Sequence, residues 1–170
     1  HAQKARHATV YERQGARDKM IAAYMGLITQ IDDHIGRLMA WLDETGRTRD
    51  TLIIFTSDHG DYLGDHWMGE KLYFHEPSVR VPLIVVDPSK EAEATRGTVD
   101  ERLTESIDLV PTIVEFMGGE VRENILEGRS LLPLVRGQDI PWRDCVFSQA
   151  DFGRSAARTA LARPTSHCRM

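Results

Sequence analysis

Two residues with metal-binding side chains, Asp58 and His59, stand side by side where an apolar run of the sequence ends. Residues 52–55 of that run show no polar alternation, which is typical of a strand buried on both faces of a parallel sheet. In open α/β sheets, ligands bind beyond the carboxyl ends of the strands. Gly60 follows the pair and permits a sharp turn of the backbone. The pattern therefore predicts that Asp58 and His59 lie at the rim of a sheet.

A carboxylate oxygen and an imidazole nitrogen are both ligands of divalent metals, and this mixed set suits Mn or Zn better than Ca. Adjacent residues of an ideal strand point to opposite faces, so the two side chains can reach one ion only if the backbone bends between them. The alternative is an aspartate that caps a turn beside a histidine packed at a strand end. The spacing alone leaves both interpretations open.

The loop that follows is rich in charged and aromatic residues, and loops on a rigid scaffold often carry function. Lys71 in this loop can offer a positive point charge to an oxygen of an anionic substrate. Residues 83–86 then form a second apolar run, which predicts a second buried strand. The remaining ionisable loop residues are Asp61, Asp65, His66, Glu70, His75 and Glu76.

These segments together resemble the sulfatase and phosphonate monoester hydrolase family, which belongs to the alkaline phosphatase superfamily. The resemblance lies in SDHG at 57–60, GDH at 64–66, a lysine at position 71, and EPSVRVPLIV at 76–85. Further matches are QIDDHIG at 30–36, SIDLVPT at 106–112 and EGRSLLP at 127–133. The SDHG form is most similar to the phosphonate monoester hydrolase, choline sulfatase and iduronate sulfatase branches. The similarity extends over about residues 18–150 and is specific to the family rather than to a substrate.

The resemblance implies an α/β fold class, with a partial alkaline-phosphatase-like three-layer sandwich and a mostly parallel sheet. It implies that Asp58 and His59 are metal ligands and that Lys71 contacts the sulfate or phosphonate group. It also places His66 near the site as a loop histidine with a catalytic assignment. The implied cofactor is a divalent metal, with Mn or Zn favoured and Ca as the further option.

One departure from the family pattern concerns the nucleophile. The family uses a Cys/Ser-X-Pro-X-Arg motif in which the first residue is converted to formylglycine, and neither Cys145 nor Cys168 stands in such a motif. The first metal-binding acidic residues of the family also have no match. The expectation is a C-terminal portion of such an enzyme, truncated at both ends, which binds metal weakly and does not hydrolyse esters by itself.

The net charge of the chain limits the classes of binding partner that are expected. A formal net charge of -5 argues against nucleic acid or an anionic membrane as the main partner, so the expected partner is a small anionic ester. The signal region is not covered, a cytoplasmic location is slightly favoured, and the oligomeric state stays open. The expected organisation is a polar N-terminal segment at 1–16, the sulfatase-like α/β domain at 17–150 and a tail at 151–170.

Hydrophobic periodicity predicts a long helix over 17–45 with one apolar stripe, followed by Gly46 as a C-cap. Asp32 lies beside the stripe and is expected to be buried. A strand is predicted at 51–56, and a second helix at 107–117 with Asp108 as N-cap and Ile113, Val114, Phe116 and Met117 on its buried side. Residues 145–148 are predicted as a strand and residues 154–162 as a helix.

The function expected from these observations is a metal-dependent hydrolase that cleaves sulfate esters or phosphonate/phosphate esters. Two alternatives belong to other classes. One is a phosphotransferase or mutase of the same superfamily, which also uses an Asp-His pair. The other is a non-catalytic α/β interaction module whose polar loop is only a solvated surface.

Overall fold

The computed structural model describes residues 13–71, 73–148 and 160–162. Most of the predicted segment 1–16 and of the predicted tail 151–170 lies outside these ranges. The chain divides into two compact units, residues 1–84 and residues 85–170. Within the described ranges, no helix combines the length and apolar character that a membrane span requires.

The first unit begins with α1, Ala16–Glu44, which confirms the long helix predicted from periodicity. Gly15 precedes it with a φ of 70°, and Gly46 follows its end with the same φ. The left-handed conformation at Gly46 stops the helix at the predicted place.

The apolar stripe of α1, whose amphipathic pattern implies a covered face, is covered only in part. Among the described helix residues only Leu42 is buried, and Asp32 is also exposed rather than buried. An amphipathic pattern specifies which face needs cover, but it does not supply the element that covers it. Part of the stripe is half-buried, and its other large apolar side chains are 46–54% exposed, namely Met25, Ile28, Ile31 and Leu38.

Two short strands, β1 (Ile53–Thr56) and β2 (Leu83–Val86), are hydrogen-bonded neighbours in a two-stranded sheet. Both strands lie where the apolar runs predicted them. The expectation of burial on both faces is wrong, because Phe55 is 37% exposed in β1 and Ile84 is 56% exposed in β2. Burial on both faces requires a layer on each side of the sheet, and the outward faces of this sheet are not covered in this way. Between the strands lie a 3-10 turn at Asp65–Trp67 and the short helix α2, Glu76–Val79.

The second unit contains 3-10 helices at Lys90–Thr95 and Ser106–Asp108, then α3 (Leu109–Phe116) and α4 (Leu132–Val135). The helix predicted at 107–117 is therefore present as α3. The predicted buried side is wrong for Ile113 and Met117, which are 48% and 77% exposed, whereas Val114 and Phe116 are partly buried. The fully buried residues of α3 are Pro111 and Thr112. Thr112 is buried because its Oγ1 donates to the Asp108 carbonyl (2.6 Å) and accepts from the Leu131 N–H (2.8 Å).

Asp108 is the centre of the second unit, and its carboxylate is fully buried. Oδ1 accepts hydrogen bonds from the Arg129 N–H (2.8 Å) and from Arg143 Nη2 (2.6 Å). Oδ2 accepts from the Glu105 N–H (2.8 Å) and from Arg143 Nη1 (2.7 Å). Asp108 precedes α3 as predicted, but its side chain caps the 3-10 turn that begins after Glu105 instead of α3 itself. Gly128 permits the approach of Arg129, because a Cβ at Gly128 would overlap the backbone of Ile107.

The strand predicted at 145–148 is present as β3, Val146–Ser148. It pairs antiparallel with β4, Ala160–Ala162, in the register Val146 to Ala162. The helix predicted over 154–162 is therefore wrong at its last three residues, and residues 154–159 lie outside the described ranges.

Asp87 directly follows β2, and its side chain is fully buried. Burial raises the pKa of this carboxyl, but hydrogen bonds from the Ser89 N–H (2.9 Å) and Arg136 Nε (2.8 Å) outweigh that effect and leave the pKa below its ordinary value. A lowered folded-state pKa means that the carboxylate stabilises the fold above the unfolded pKa of about 3.9. That contribution is lost as the pH falls through the folded-state pKa.

We therefore expect Asp87→Asn to lower the free energy of unfolding at pH 7 by about 1.5–3 kcal/mol, as for a lost hydrogen bond to a charged group. The difference between the variant and the parent chain should shrink near pH 3, and urea denaturation at the two pH values measures it. Asp33→Asn, at an exposed position of α1, is the matched control. A difference that is equal at both pH values would contradict the assignment.

Candidate functional site

Ser57 and Asp58 set the bend that follows β1. The Ser57 hydroxyl donates to the His59 carbonyl (2.7 Å), and Asp58 Oδ1 accepts from the His59 backbone N–H (2.9 Å). As a result the adjacent side chains converge, with 3.4 Å between Asp58 Oδ2 and His59 Nε2. The bend that a shared ion would require is thus present at the end of the strand.

Gly60 is needed here because another part of the backbone comes very close. A Cβ at this position would overlap the carbonyl oxygen of Pro77, and the Gly60 N–H donates to the Ser78 carbonyl at 2.8 Å. The sequence suggested glycine for a sharp turn, whereas the structure requires it for this close approach. The contact joins residues 60 and 78 and so closes the loop between them, which we call the site loop, residues 61–77.

The hydrogen bonds of His59 assign its tautomer. Nδ1 lies 2.8 Å from the Gly60 carbonyl oxygen, and a carbonyl can only accept, so Nδ1 carries the proton. Nε2 is then left with its lone pair facing Asp58 and Lys71. A histidine that binds a metal commonly donates its other ring N–H to a carbonyl or carboxylate in this way. His59 is therefore oriented and protonated as a ligand through Nε2.

Lys71 is brought to the same place by the site loop. Its Nζ lies 2.6 Å from His59 Nε2, and the ammonium group donates to the imidazole lone pair. A cation therefore already occupies the position next to the carboxylate and imidazole. The structure thus brings together three of the four residues that the sequence singled out.

Asp58 is well placed to stay ionised, because its side chain is 82% exposed. Desolvation is the largest single influence and raises its pKa, but the backbone N–H of His59 and the nearby side chains of His59 and Lys71 together lower it by more, so the net shift of the pKa is downward. A carboxylate that remains charged to low pH is suited to bind a cation.

His66, the fourth predicted residue, lies in a different group of contacts. Its ring stacks on His75 at 4.4 Å between centroids with an interplanar angle of 16°. It also meets the Tyr62 ring edge-on at 6.1 Å. These contacts place His66 in the packing of the site loop.

The site loop contains strained backbone. Among the loop residues that the structure describes, four non-glycine residues have positive φ, namely Leu63, His66, Trp67 and Glu70, with φ values of 46° to 59°. Such residues are uncommon and cluster at functional sites. Arg17 of α1 ties the loop down, since it donates to the Leu63 carbonyl (3.0 Å) and pairs with Asp65 (2.6 Å).

Two residues that build the site loop, Arg17 and Tyr62, were not found by sequence reasoning. Tyr62 is 1% exposed although it lies in a polar loop. The feature that could have indicated it is an aromatic side chain with a hydroxyl group among charged residues, because a buried tyrosine hydroxyl is usually hydrogen-bonded. Arg17 gave no signal, because its partners are about 46 residues away in the sequence.

Asp58 and His59 are the candidate ligands of a metal site. Among the residues that the structure describes, no group of three or more His, Cys, Asp or Glu side chains lies close enough to hold a metal ion. Asp58 and His59 nevertheless fit the role, since an exposed carboxylate and an imidazole lone pair converge at one rim. Protein metal sites usually use three or four protein ligands, so these two residues would supply about half of a coordination shell.

Both the sequence and the backbone are similar to those of known proteins. The family model described as Sulfatase matches residues 1–119. The multifunctional alkaline phosphatase superfamily protein PehA of Trinickia caryophylli is 47% identical over 140 residues, which cover 82% of this chain and 27% of that protein. An arylsulfatase of Clostridium perfringens is 36% identical over 135 residues, which cover 79% of this chain and 28% of that protein.

The backbone is similar to that of two phosphonate monoester hydrolases. The enzyme from Silicibacter pomeroyi has a TM-score of 0.76 and 40% identity, and the match covers 85% of this chain and 28% of that one. The enzyme from Agrobacterium radiobacter has a TM-score of 0.75 and 38% identity, with 84% and 28% covered. The similarity confirms the predicted α/β, alkaline-phosphatase-like fold class. The chain spans a little over a quarter of the length of the relatives that it matches.

Proposed function

This chain belongs to the sulfatase family of the alkaline phosphatase superfamily, and from that premise we propose that it forms part of the active site of a metal-dependent ester hydrolase. The proposed substrates are small anionic sulfate esters or phosphonate/phosphate esters. The nucleophile, of the formylglycine type, would come from outside residues 1–170. The observation that supports the proposal most directly is the convergence of Asp58, His59 and Lys71 at the end of β1.

Asp58 and His59 are assigned to hold a divalent cation. Its imidazole ligand favours Mn or Zn over Ca, which prefers oxygen ligands alone. When bound, such an ion supplies Lewis-acid polarisation of a substrate oxygen. The role of Asp58 is to contribute negative charge, and the role of His59 is to present its Nε2 lone pair while Gly60 fixes the ring from the other side.

Lys71 is assigned to the anionic group of the substrate. Its ammonium can donate N–H bonds to oxygen atoms that gain negative charge in the transition state. The same ammonium now uses the His59 lone pair, and one lone pair cannot serve both an ammonium and a metal ion. A cation held by His59 Nε2 would therefore need Lys71 to give up that lone pair, and the ammonium group would then be available to the substrate.

His66 remains a predicted catalytic residue. Its stacking on His75 and its edge contact with Tyr62 support a contribution through the shape of the site loop. We place it second to Lys71 in the proposal, because Lys71 is the residue that contacts His59.

Metal binding tests the proposal without any turnover. We expect the chain to bind Mn²⁺ or Zn²⁺, and we expect His59→Gln to weaken that binding by about tenfold or more, since even indirect partners of metal sites contribute 10–100-fold. Isothermal titration calorimetry at fixed pH measures both affinities.

The matched control is His34→Gln, which removes an exposed histidine from α1 and should leave the affinity unchanged. Equal affinities for the parent chain and His59→Gln would show that the ion is not held at this rim. An equal loss in both variants would point to non-specific binding by histidines.

A further inference from the structure

Tyr62 is almost completely buried, at 1% exposure, in a loop whose neighbouring ionisable side chains are mostly exposed. We propose that Tyr62 is the residue that positions Lys71. The inference deepens the function proposed above and rests on it only for the use that is made of Lys71. The placement of the lysine can be measured separately from any reaction.

The contacts of Tyr62 fall on both sides of Lys71 in the chain. Its backbone N–H donates to the carbonyl of Glu70, the preceding residue, at 3.0 Å. Its hydroxyl donates to the carbonyl of Tyr73, two residues after the lysine, at 3.2 Å. The backbone that carries Lys71 is therefore attached before and after the lysine to one buried residue.

His75 completes this arrangement. Its Nδ1 lies 2.9 Å from the Tyr62 hydroxyl oxygen. The hydroxyl has one proton, which it donates to Tyr73, so His75 Nδ1 must be the donor to the phenol oxygen. The two rings meet edge-on at 5.8 Å with an interplanar angle of 77°. The phenol is thus fixed through both its donor and its acceptor function.

The strain of the loop explains why such an anchor is needed. Glu70 has a φ of 58°, and a non-glycine residue in this conformation costs about 1–3 kcal/mol unless its surroundings hold it. The Tyr62–Glu70 hydrogen bond acts directly on this residue. Lys71 itself is exposed, and its flexible four-carbon side chain is not fixed by packing. The position of its ammonium group therefore depends on how the backbone is held.

Tyr62→Phe tests the inference, because it keeps the buried ring and the backbone bond to Glu70 and removes only the hydroxyl. We expect the variant to lose most of the nuclear Overhauser effect between the Lys71 side chain and the His59 ring. We also expect the ¹⁵N shift of His59 Nε2 to move to the value found in Lys71→Gln, which lacks the ammonium donor. Tyr24→Phe on α1 is the matched control and should change neither signal.

A second pair of variants tests the same inference if Tyr62→Phe does not fold. In His75→Asn the amide N–H can replace the Nδ1 donor, so the Lys71–His59 signals should be retained. His75→Leu removes the donor and should lose them. If Tyr62 only stabilises the fold, Tyr62→Phe should lower the free energy of unfolding measured in urea but should not change the ¹⁵N shift of His59 Nε2.

Unchanged signals in Tyr62→Phe, or absence of the Lys71–His59 contact in the parent chain, would overturn the inference. Failure of the proposed function looks different. In that case the metal titration shows no dependence on His59, while the Tyr62 variants still displace Lys71.

Discussion

Asp108→Asn is expected to lower the free energy of unfolding by about 3–5 kcal/mol, the usual cost of breaking a buried ion pair. Its partner Arg143 is only 9% exposed and would keep Glu105, at 2.9 Å, as its remaining acidic partner. Urea denaturation of the two proteins at pH 7, followed by circular dichroism, measures the difference. This is the largest effect on stability that we expect from one substitution in the chain.

The size of the effect follows from the donors around the carboxylate. Both oxygens of Asp108 accept from a backbone N–H and from the Arg143 guanidinium. Asparagine has the same shape, but its NH₂ group would face two of these N–H donors. The variant therefore loses hydrogen bonds and also places donors against donors in a buried position.

Asp100→Asn is the matched control. Its carboxylate pairs with Arg102 at 2.6 Å, but the two side chains are 41% and 34% exposed. Exposed pairs typically contribute about 1 kcal/mol or less. If Asp108→Asn lowers the free energy of unfolding by no more than Asp100→Asn does, then the buried hydrogen bonds of Asp108 do not stabilise the fold more than an exposed ion pair.

The parts of the fold that sequence predicted are those with a local signal. The 3.6-residue hydrophobic period lies within α1, so the helix itself was predictable. Gly46 directly follows α1, so the end of the helix was predictable as well. The apolar run predicted that Asp58 and His59 follow a strand end, whereas their convergence with Lys71 was implied only by the resemblance to the sulfatase and phosphonate monoester hydrolase family.

The parts that sequence did not predict depend on distant partners. Asp108 was read as a helix cap, whereas Arg143, which binds it, lies 35 residues later. Tyr62 is not part of a hydrophobic periodicity in the sequence, and its contacts form only when the site loop is folded. The partial exposure of the α1 stripe and of β1 depends on which other elements cover them. Neither composition nor spacing predicts those covering elements.

The largest effect on function is expected for Lys71→Ala. The measurement requires the rest of a sulfatase fold, for example a chimera in which this chain replaces the corresponding quarter of the Silicibacter pomeroyi phosphonate monoester hydrolase. In that protein we expect kcat/KM for an aryl sulfate or phosphonate ester to fall on the order of a hundredfold, as for other donors that stabilise transition-state charge. Lys90→Ala, at another exposed lysine, should leave the rate unchanged. An unchanged rate in Lys71→Ala would favour the non-catalytic interpretation of the loop.

Metal affinity separates two ways in which Lys71→Ala can lower the rate. Because the ammonium occupies the His59 Nε2 lone pair at 2.6 Å, its removal takes away a competitor for that lone pair and a nearby positive charge. We therefore expect the variant to bind Mn²⁺ or Zn²⁺ at least as tightly as the parent chain, which calorimetry on the 170-residue chain can measure. Lower turnover with undiminished metal binding places Lys71 on the substrate. A parallel loss of both would instead mean that the lysine acts through the orientation of His59.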